Sequence, residues 1–334
     1  MDAATVRGLL DRRLVVVTGK GGVGKTAVAC AVAEAARRAG KRVLLVETAA
    51  QEQVAACFEP RPRPLGHAGR TLAPGLHALH IDPHEALAEY ARLQLRFGLV
   101  TDRILRSEIF GQLLEAAPGW RELIVLGKIW HLEQRTDLEG RKAHDLIVVD
   151  APATGHGLTF LDVPRVAQQA IRAGPLARHA SWVEALIHDS ERTLLLPVTL
   201  PEELPVLETQ ELVRRARQEV GISVDRIVVN QMPSEDAERA LDALARGHGA
   251  PVLRALPDAT AMRAMLVHGA RRAAEARELR LDVSRRCDLP VVDVPLLGGG
   301  FDAGSGWIDY ADRVVAEPVW PGPRPEAPPG PERP

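Results

Sequence analysis

The 334-residue sequence has three cysteines, Cys30, Cys57 and Cys287, and no CxxC pair. That scarcity argues against a disulfide framework, a zinc site on paired cysteines or an iron–sulfur cluster held within one chain, and it points to a reducing cytoplasm. Neither sign of charge dominates, with 42 Lys and Arg against 44 Asp and Glu, so a nucleic-acid binder working by bulk charge is not indicated. No stretch approaches the roughly 18 apolar residues of a membrane span. The opening MDAATVRGLLDRR lacks an apolar leader core, so membrane contact is peripheral if it occurs at all. What remains is the composition of an ordinary soluble chain, 46% hydrophobic and 26% charged, long enough for one large α/β core or two modest ones.

Short apolar runs alternate with helical stretches along the chain. Leu14 to Thr18 (LVVVT) predicts a strand buried on both faces, ending in a glycine cluster. The alanine-rich stretch from Lys25 to Gly40 predicts a helix stopped by glycine, and RVLLVE at 42–47 a second buried strand. Together they make a βαβ unit. After Phe58 a Pro/Arg-rich loop leads to a strand ending near Asp82, and further strands are predicted at 144–150, 193–199, 225–230 and 289–294. From Glu85 to about Gln134 the helical period takes over, with Ile104, Leu105, Ile109, Leu113 and Leu114 on one face, which predicts three or four inserted helices. The nearly all-apolar run Leu123 to Trp130 is either buried core or one wall of a groove. The Arg-rich stretch 265–286 also carries acids and reads as a solvated helix face. The last 18 residues hold eight prolines and read as a disordered tail. There is no internal repeat, and the alternation predicts an α/β fold with a doubly wound, mostly parallel sheet flanked by helices.

Between the first strand and first helix, Gly19-Lys20-Gly21-Gly22-Val23-Gly24-Lys25-Thr26 fits GxxxxGK[ST] in the setting that phosphate binding needs. Backbone N–H groups from Gly19, Gly21, Gly22, Val23 and Gly24 through Lys25, Thr26 and Ala27 can wrap a β-phosphate at the helix N-terminus. Lys25 reaches the β and γ oxygens, and Thr26 offers its hydroxyl to Mg²⁺. Asp150 closes its strand as an acid that holds Mg²⁺ through water. ATP and Mg²⁺ are thus the expected ligands of a P-loop NTPase fold with a helical insertion. The expected organisation is a nucleotide-binding core in two parts, 1–84 and 141–316, a helical insertion at 85–140, and the Pro-rich tail at 317–334.

The extra lysine, Lys20 in KGGVGKT, resembles the deviant Walker A motif of dimeric P-loop ATPases that include MinD, ParA, nitrogenase iron protein, the ArsA arsenite-pump ATPase and the targeting ATPase for tail-anchored proteins. Asp150-Ala151-Pro152-Ala153-Thr154-Gly155-His156 resembles the DTAPTGH switch II segment of the last two. The resemblance to this ArsA-like family, in a bacterial short form, implies that Lys20 reaches a partner's nucleotide across a dimer interface. It further implies that Gly155 senses the γ-phosphate, that His156 links nucleotide state to the helical insertion, and that Asn230 in VVNQ reads adenine with Pro295 of DVPLL packing on the base. The implied assembly is a homodimer, or a heterodimer with a paralogous ArsA-like subunit, closing over an unidentified protein client.

Switch I departs from the family pattern. Where relatives carry D-P-A-H after the second strand, this chain reads Glu47-Thr48-Ala49-Ala50-Gln51-Glu52, with Ala49 in the aspartate's place. An alanine cannot align a water or accept its proton, so Glu47 or Glu52 substitutes, or a partner supplies the group, or turnover is slow. Glu47, at the strand's end, suits a metal-shell role, and Glu52 is the other candidate for positioning water. The alternative of another class is a nucleotide-gated regulatory subunit that does not hydrolyse ATP. Cargo signals are thin. Residues 157–190 contain no cysteine, which leaves arsenite efflux unsupported, and no CxxC and only four methionines leave tail-anchor targeting unsupported.

Overall fold

The structure is a computed structural model; it describes residues 8–49, 51–94, 119–170, 175–233, 259–296 and 305–320, with residues 239, 243 and 246 besides. Eight strands form one sheet: β1 (Leu14–Gly19), β2 (Val43–Glu47), β3 (Arg70–Ala73), β4 (Leu76–His80), β5 (Leu146–Asp150), β6 (Thr193–Thr199), β7 (Ile227–Met232) and β8 (Val291–Pro295). Their spatial order is β3-β4-β2-β5-β1-β6-β7-β8, parallel throughout except for β3, which runs antiparallel to β4 at the edge. The doubly wound α/β sheet expected from the alternation is therefore present. Strand β3 lies within and beyond the stretch read as loop, because its alternation is poor and its residues are only half-buried at a sheet edge.

The described helices are α1 (Lys25–Arg38), α2 (Pro83–Gln94), α3 (Trp120–Gln134), α4 (Thr154–Ala170), α5 (Pro175–His188), α6 (Glu203–Arg215), α7 (Ala259–Cys287) and α8 (Ser305–Val314). Two apolar layers sandwich the sheet, as period-2 strands require. Val15, Val17, Leu45, Val148 and Leu196 face α1 and α8, whereas Val16, Leu44, Val149 and Leu195 face the layer containing α3, α5 and α6. Helix α1 is lined by small residues, with Ala29, Ala31 and Ala33 fully buried, so its backbone lies close over the sheet and its N-terminus stands at the carboxyl ends of β1 and β5.

In the run Leu123 to Trp130, Leu123, Ile124, Val125, Leu126 and Ile129 are buried core, while Trp130 stacks on the half-exposed Trp182 of α5 at 5.0 Å. Both readings of that run hold, each for a different side of α3. Residues Ile104, Leu105, Ile109, Leu113 and Leu114 lie outside the described residues. The Arg-rich helix is solvated and laced by its own acids, with Arg271–Glu275 and Arg286–Asp282 pairs. The proline-rich end starts inside the fold, a correction to its reading as tail from residue 317. Val319 pairs with Val291 of β8 through hydrogen bonds of 2.9 and 3.0 Å, because an edge strand offers unpaired backbone groups whatever the partner's composition.

Helix α3 is tied to the amino ends of the strands by one buried acid. The Glu133 side chain is fully buried and meets Arg192 at 2.6 Å, Arg13 at 3.3 Å and Lys142 at 3.3 Å, and these cations hold its carboxyl below the usual range against the opposing effect of burial. Removing it leaves three cations facing a hole. We predict that Glu133→Ala costs about 3–5 kcal/mol in chemical denaturation, and that Glu133→Gln, which keeps the shape and hydrogen-bonding oxygen, costs less.

Candidate functional site

The glycine loop after β1 runs into α1 as the sequence predicts, with Gly24 capping the helix at φ 89°. A side chain there is doubly barred, since a Cβ on Gly24 would sit 2.4 Å from the Asn230 amide nitrogen. A Cβ on Gly19 would lie 2.2 Å from the Val198 carbonyl oxygen, so β6 and β1 fit together only with glycine at this place. Gly21 and Gly22 face open space at the rim, and Val23 is buried beneath it. Ala27 packs against the core one turn into α1. The loop is thereby a collar of backbone held by close fit at Gly19 and Gly24, of the kind that cradles an anion at a helix N-terminus.

At the floor of the collar the Thr26 hydroxyl donates to Asp150 Oδ2 at 2.6 Å. Asp150 is 2% exposed, and its other oxygen, Oδ1, is buried without a partner. Burial raises its pKa, while Thr26 and Lys25 pull it back. Lys25 Nζ donates to the Lys20 carbonyl oxygen at 2.9 Å, and burial lowers the ammonium's pKa against the attraction of Asp150. A fixed hydroxyl, a buried orphan carboxylate oxygen and a half-buried ammonium under a backbone collar form a donor set suited to a magnesium-bound polyphosphate.

Lys20, expected to serve a partner's nucleotide, pairs within its own chain with Glu208 of α6 at 2.8 Å. Both side chains are part-exposed, so this contact is a weak one. Gly155 is the second residue of α4, just past Asp150, and the side chains of residues 154–159, His156 among them, lie outside the described residues.

The two switch I acids occupy different positions from one another. Glu47, fully buried at the end of β2, accepts from the backbone of Gln53 at 2.5 Å and of Val54 at 3.2 Å through Oε1, while Oε2 has no partner. Desolvation pushes its pKa up to about 7, against those two amides, with the Asp150 charge adding and His80 opposing. Glu52, the other candidate for positioning water, is engaged by backbone. Its two oxygens accept the backbone N–H groups of Leu65 and Gly66, so it ties switch I to the loop before β3. The Ala49 carbonyl oxygen is hydrogen-bonded to His80 at 2.7 Å.

Asn230, the residue expected to read adenine, is engaged by protein on both sides of its amide. Its Nδ2 donates to the Val23 carbonyl at 2.9 Å, and its Oδ1 accepts from Gln231 N–H at 2.9 Å and Tyr310 OH at 3.0 Å. Three of the amide's four bonding positions face protein, which makes Asn230 a strut between the P-loop and α8. The bond to Gln231 also supports that residue at φ 58°. Pro295 ends β8 opposite Met232. Tyr310, Thr48, His80 and Glu208 carried no sequence signal, since each meets the site only through a tertiary contact. The fold also brings Cys30 of α1 against Cys57, two cysteines widely separated in sequence. Among the described residues no group of three metal-ligating side chains is present.

The family model described as anion-transporting ATPase matches residues 12–178. ATPase BagA of Mycobacterium tuberculosis is 31% identical over 312 residues, covering 88% of this chain and 90% of that protein. The arsenical pump-driving ATPase of Acidiphilium multivorum is 35% identical over 250 residues, 68% of this chain and 40% of that longer protein. The chain belongs to the anion-transporting ATPase family. An ATPase ASNA1 homolog of Entamoeba dispar is 27% identical over 263 residues, covering 65% of this chain and 76% of the relative. In this family member the P-loop is held from behind by Asn230 and Tyr310, so we predict that Asn230→Ala, which strips buried groups of their partners, costs about 1–3 kcal/mol. Denaturant melts should show Tyr310→Phe costing less, and ATP titrations should show Asn230→Ala weakening nucleotide binding.

Proposed function

We propose that the chain is a dimeric Mg-ATP-dependent ATPase that hydrolyses ATP to ADP and phosphate and uses nucleotide-controlled closure to rearrange a client- or partner-binding helical surface. The carrying observation is the constellation of Lys25, Thr26 and Asp150 beneath the glycine collar, with one Asp150 oxygen buried and unpartnered. Thr26 and Asp150 would hold Mg²⁺, which when bound neutralises charge on the β and γ phosphate oxygens. Lys25 would leave the Lys20 carbonyl to meet those oxygens, and its partial removal from water would strengthen that charge–charge contact.

The route from site to surface runs through α4. Its first turn carries Thr154 and Gly155, and its body packs on α3 and α5, the helices that hold Trp130 and Trp182. A shift at the start of α4 on binding a γ-phosphate would be felt along that layer, which is dense and transmits displacement. The helical segment 85–140 is the part we assign to client binding. Lys20 would act on a partner's nucleotide after leaving Glu208, in a homodimer or with a paralogous subunit.

A second reading, a regulatory subunit that binds ATP without turning it over, is favoured by Ala49 and by the use of both Glu52 oxygens on backbone amides. Single-turnover hydrolysis separates the two. Wild type is expected to bind ATP and hydrolyse it slowly, with Lys25→Ala about 100-fold slower or worse and Ala49→Asp faster. Turnover seen only in Ala49→Asp would establish the regulatory reading, and no ATP binding by wild type would overturn both.

A further inference from the structure

Among the described residues, only two carboxylates have a buried oxygen without a hydrogen-bond partner, Glu47 Oε2 and Asp150 Oδ1. They are register partners at the carboxyl ends of the adjacent parallel strands β2 and β5, so their side chains leave the same face of the sheet, and adjacent strands run about 4.8 Å apart. That face is the one covered by α1, which carries Thr26. Thr48 pins the two strand ends together, its hydroxyl donating to the Asp150 carbonyl oxygen at 2.8 Å.

Anchoring the switch I loop does not account for this arrangement. Glu47 holds Gln53 and Val54 through Oε1 alone, a task that a neutral glutamine oxygen would perform without burying a second acid. A buried carboxylate oxygen without a protein partner is destabilising, and two of them as neighbours more so, and a cation between them removes that cost. Among the described residues no lysine or arginine forms a hydrogen bond or ion pair with either orphaned oxygen. Lys25, whose charge acts on Asp150, donates instead to the Lys20 carbonyl.

We propose that Glu47 and Asp150 together ligate a divalent cation on the nucleotide-free protein, so that the metal is held by two carboxylates and precedes ATP rather than arriving with it. The proposal rests on the reading of this site as a Mg-ATP site and adds a ligand, Glu47, that switch I supplies beside the position of Ala49. Two carboxylates with the remaining positions left to water, a hydroxyl and phosphate oxygens are an ordinary complement for Mg²⁺ or Mn²⁺. Because Oε1 of the same side chain holds Gln53 and Val54, metal binding at Oε2 would also fix the start of the loop after switch I.

The test uses Mn²⁺ as the probe on metal-stripped, nucleotide-free full-length protein, with free Mn²⁺ counted by electron paramagnetic resonance. Wild type is expected to bind one Mn²⁺ per chain, and Glu47→Gln, whose amide oxygen can still accept from Gln53 and Val54, to bind it about tenfold more weakly or worse. No binding by wild type without nucleotide, or equal affinity in Glu47→Gln, overturns the proposal. If the variant does not fold, wild type carrying ¹³C-carboxyl glutamate decides: a ¹³C coupling to bound Mn²⁺ supports Glu47 as ligand, and its absence overturns it. Binding of a fluorescent ATP analogue with Mg²⁺ in excess is measured in parallel. Its loss would bring down the nucleotide-site reading, whereas its presence alongside absent Mn²⁺ binding would bring down the two-carboxylate site alone.

Discussion

The 2.6 Å hydrogen bond from Thr26 to Asp150 joins the first turn of α1 to the end of β5, and the site is organised around it. For the bond to form, the chain must leave β1, turn through a collar of glycines and place the helix N-terminus directly over the neighbouring strand. The small buried face of α1 makes that approach possible, since bulkier residues at Ala29, Ala31 and Ala33 would hold the helix away from the sheet. The bond also fixes which Asp150 oxygen is used. Oδ2 is engaged by protein, and Oδ1 is left buried without a protein partner.

Around that centre the structure keeps the loops in place with polar side chains acting on backbone groups. Glu47 holds Gln53 and Val54, Glu52 holds Leu65 and Gly66, His80 meets the Ala49 carbonyl, and Asn230 holds Val23. Each contact satisfies a backbone group that an irregular segment would otherwise leave without a partner. Switch I is therefore well tethered but poor in free acid. Its departure from the family pattern changes the chemistry at one position and leaves the phosphate-binding architecture intact.

On the opposite face of the sheet, α3 is tied to the strand amino ends by Glu133 and its three cations, while its other side carries the Trp130–Trp182 stack toward solvent. Helix α4, which starts beside the nucleotide site, packs against this layer. Helix α4 thus runs from the nucleotide site to the two helices that carry the aromatic pair, a geometry suited to passing a small displacement from one to the other.

Much of this was legible in the sequence because it depends on neighbours along the chain. Apolar runs of strand length, a glycine loop between strand and helix, and an acid closing a strand are local patterns, and they determined the sheet, the P-loop and the placement of Lys25, Thr26 and Asp150. What only the tertiary structure decided are partnerships between distant segments. Lys20 lies against Glu208, Cys30 against Cys57, Asn230 between Val23 and Tyr310, and Val319 beside Val291. Glu52 reads in sequence as a free acid near a nucleotide, and only folding reveals that backbone amides have claimed both of its oxygens. Periodicity reports which face of an element is buried, but the partner of a buried polar group is set by three-dimensional proximity, and no local pattern encodes it.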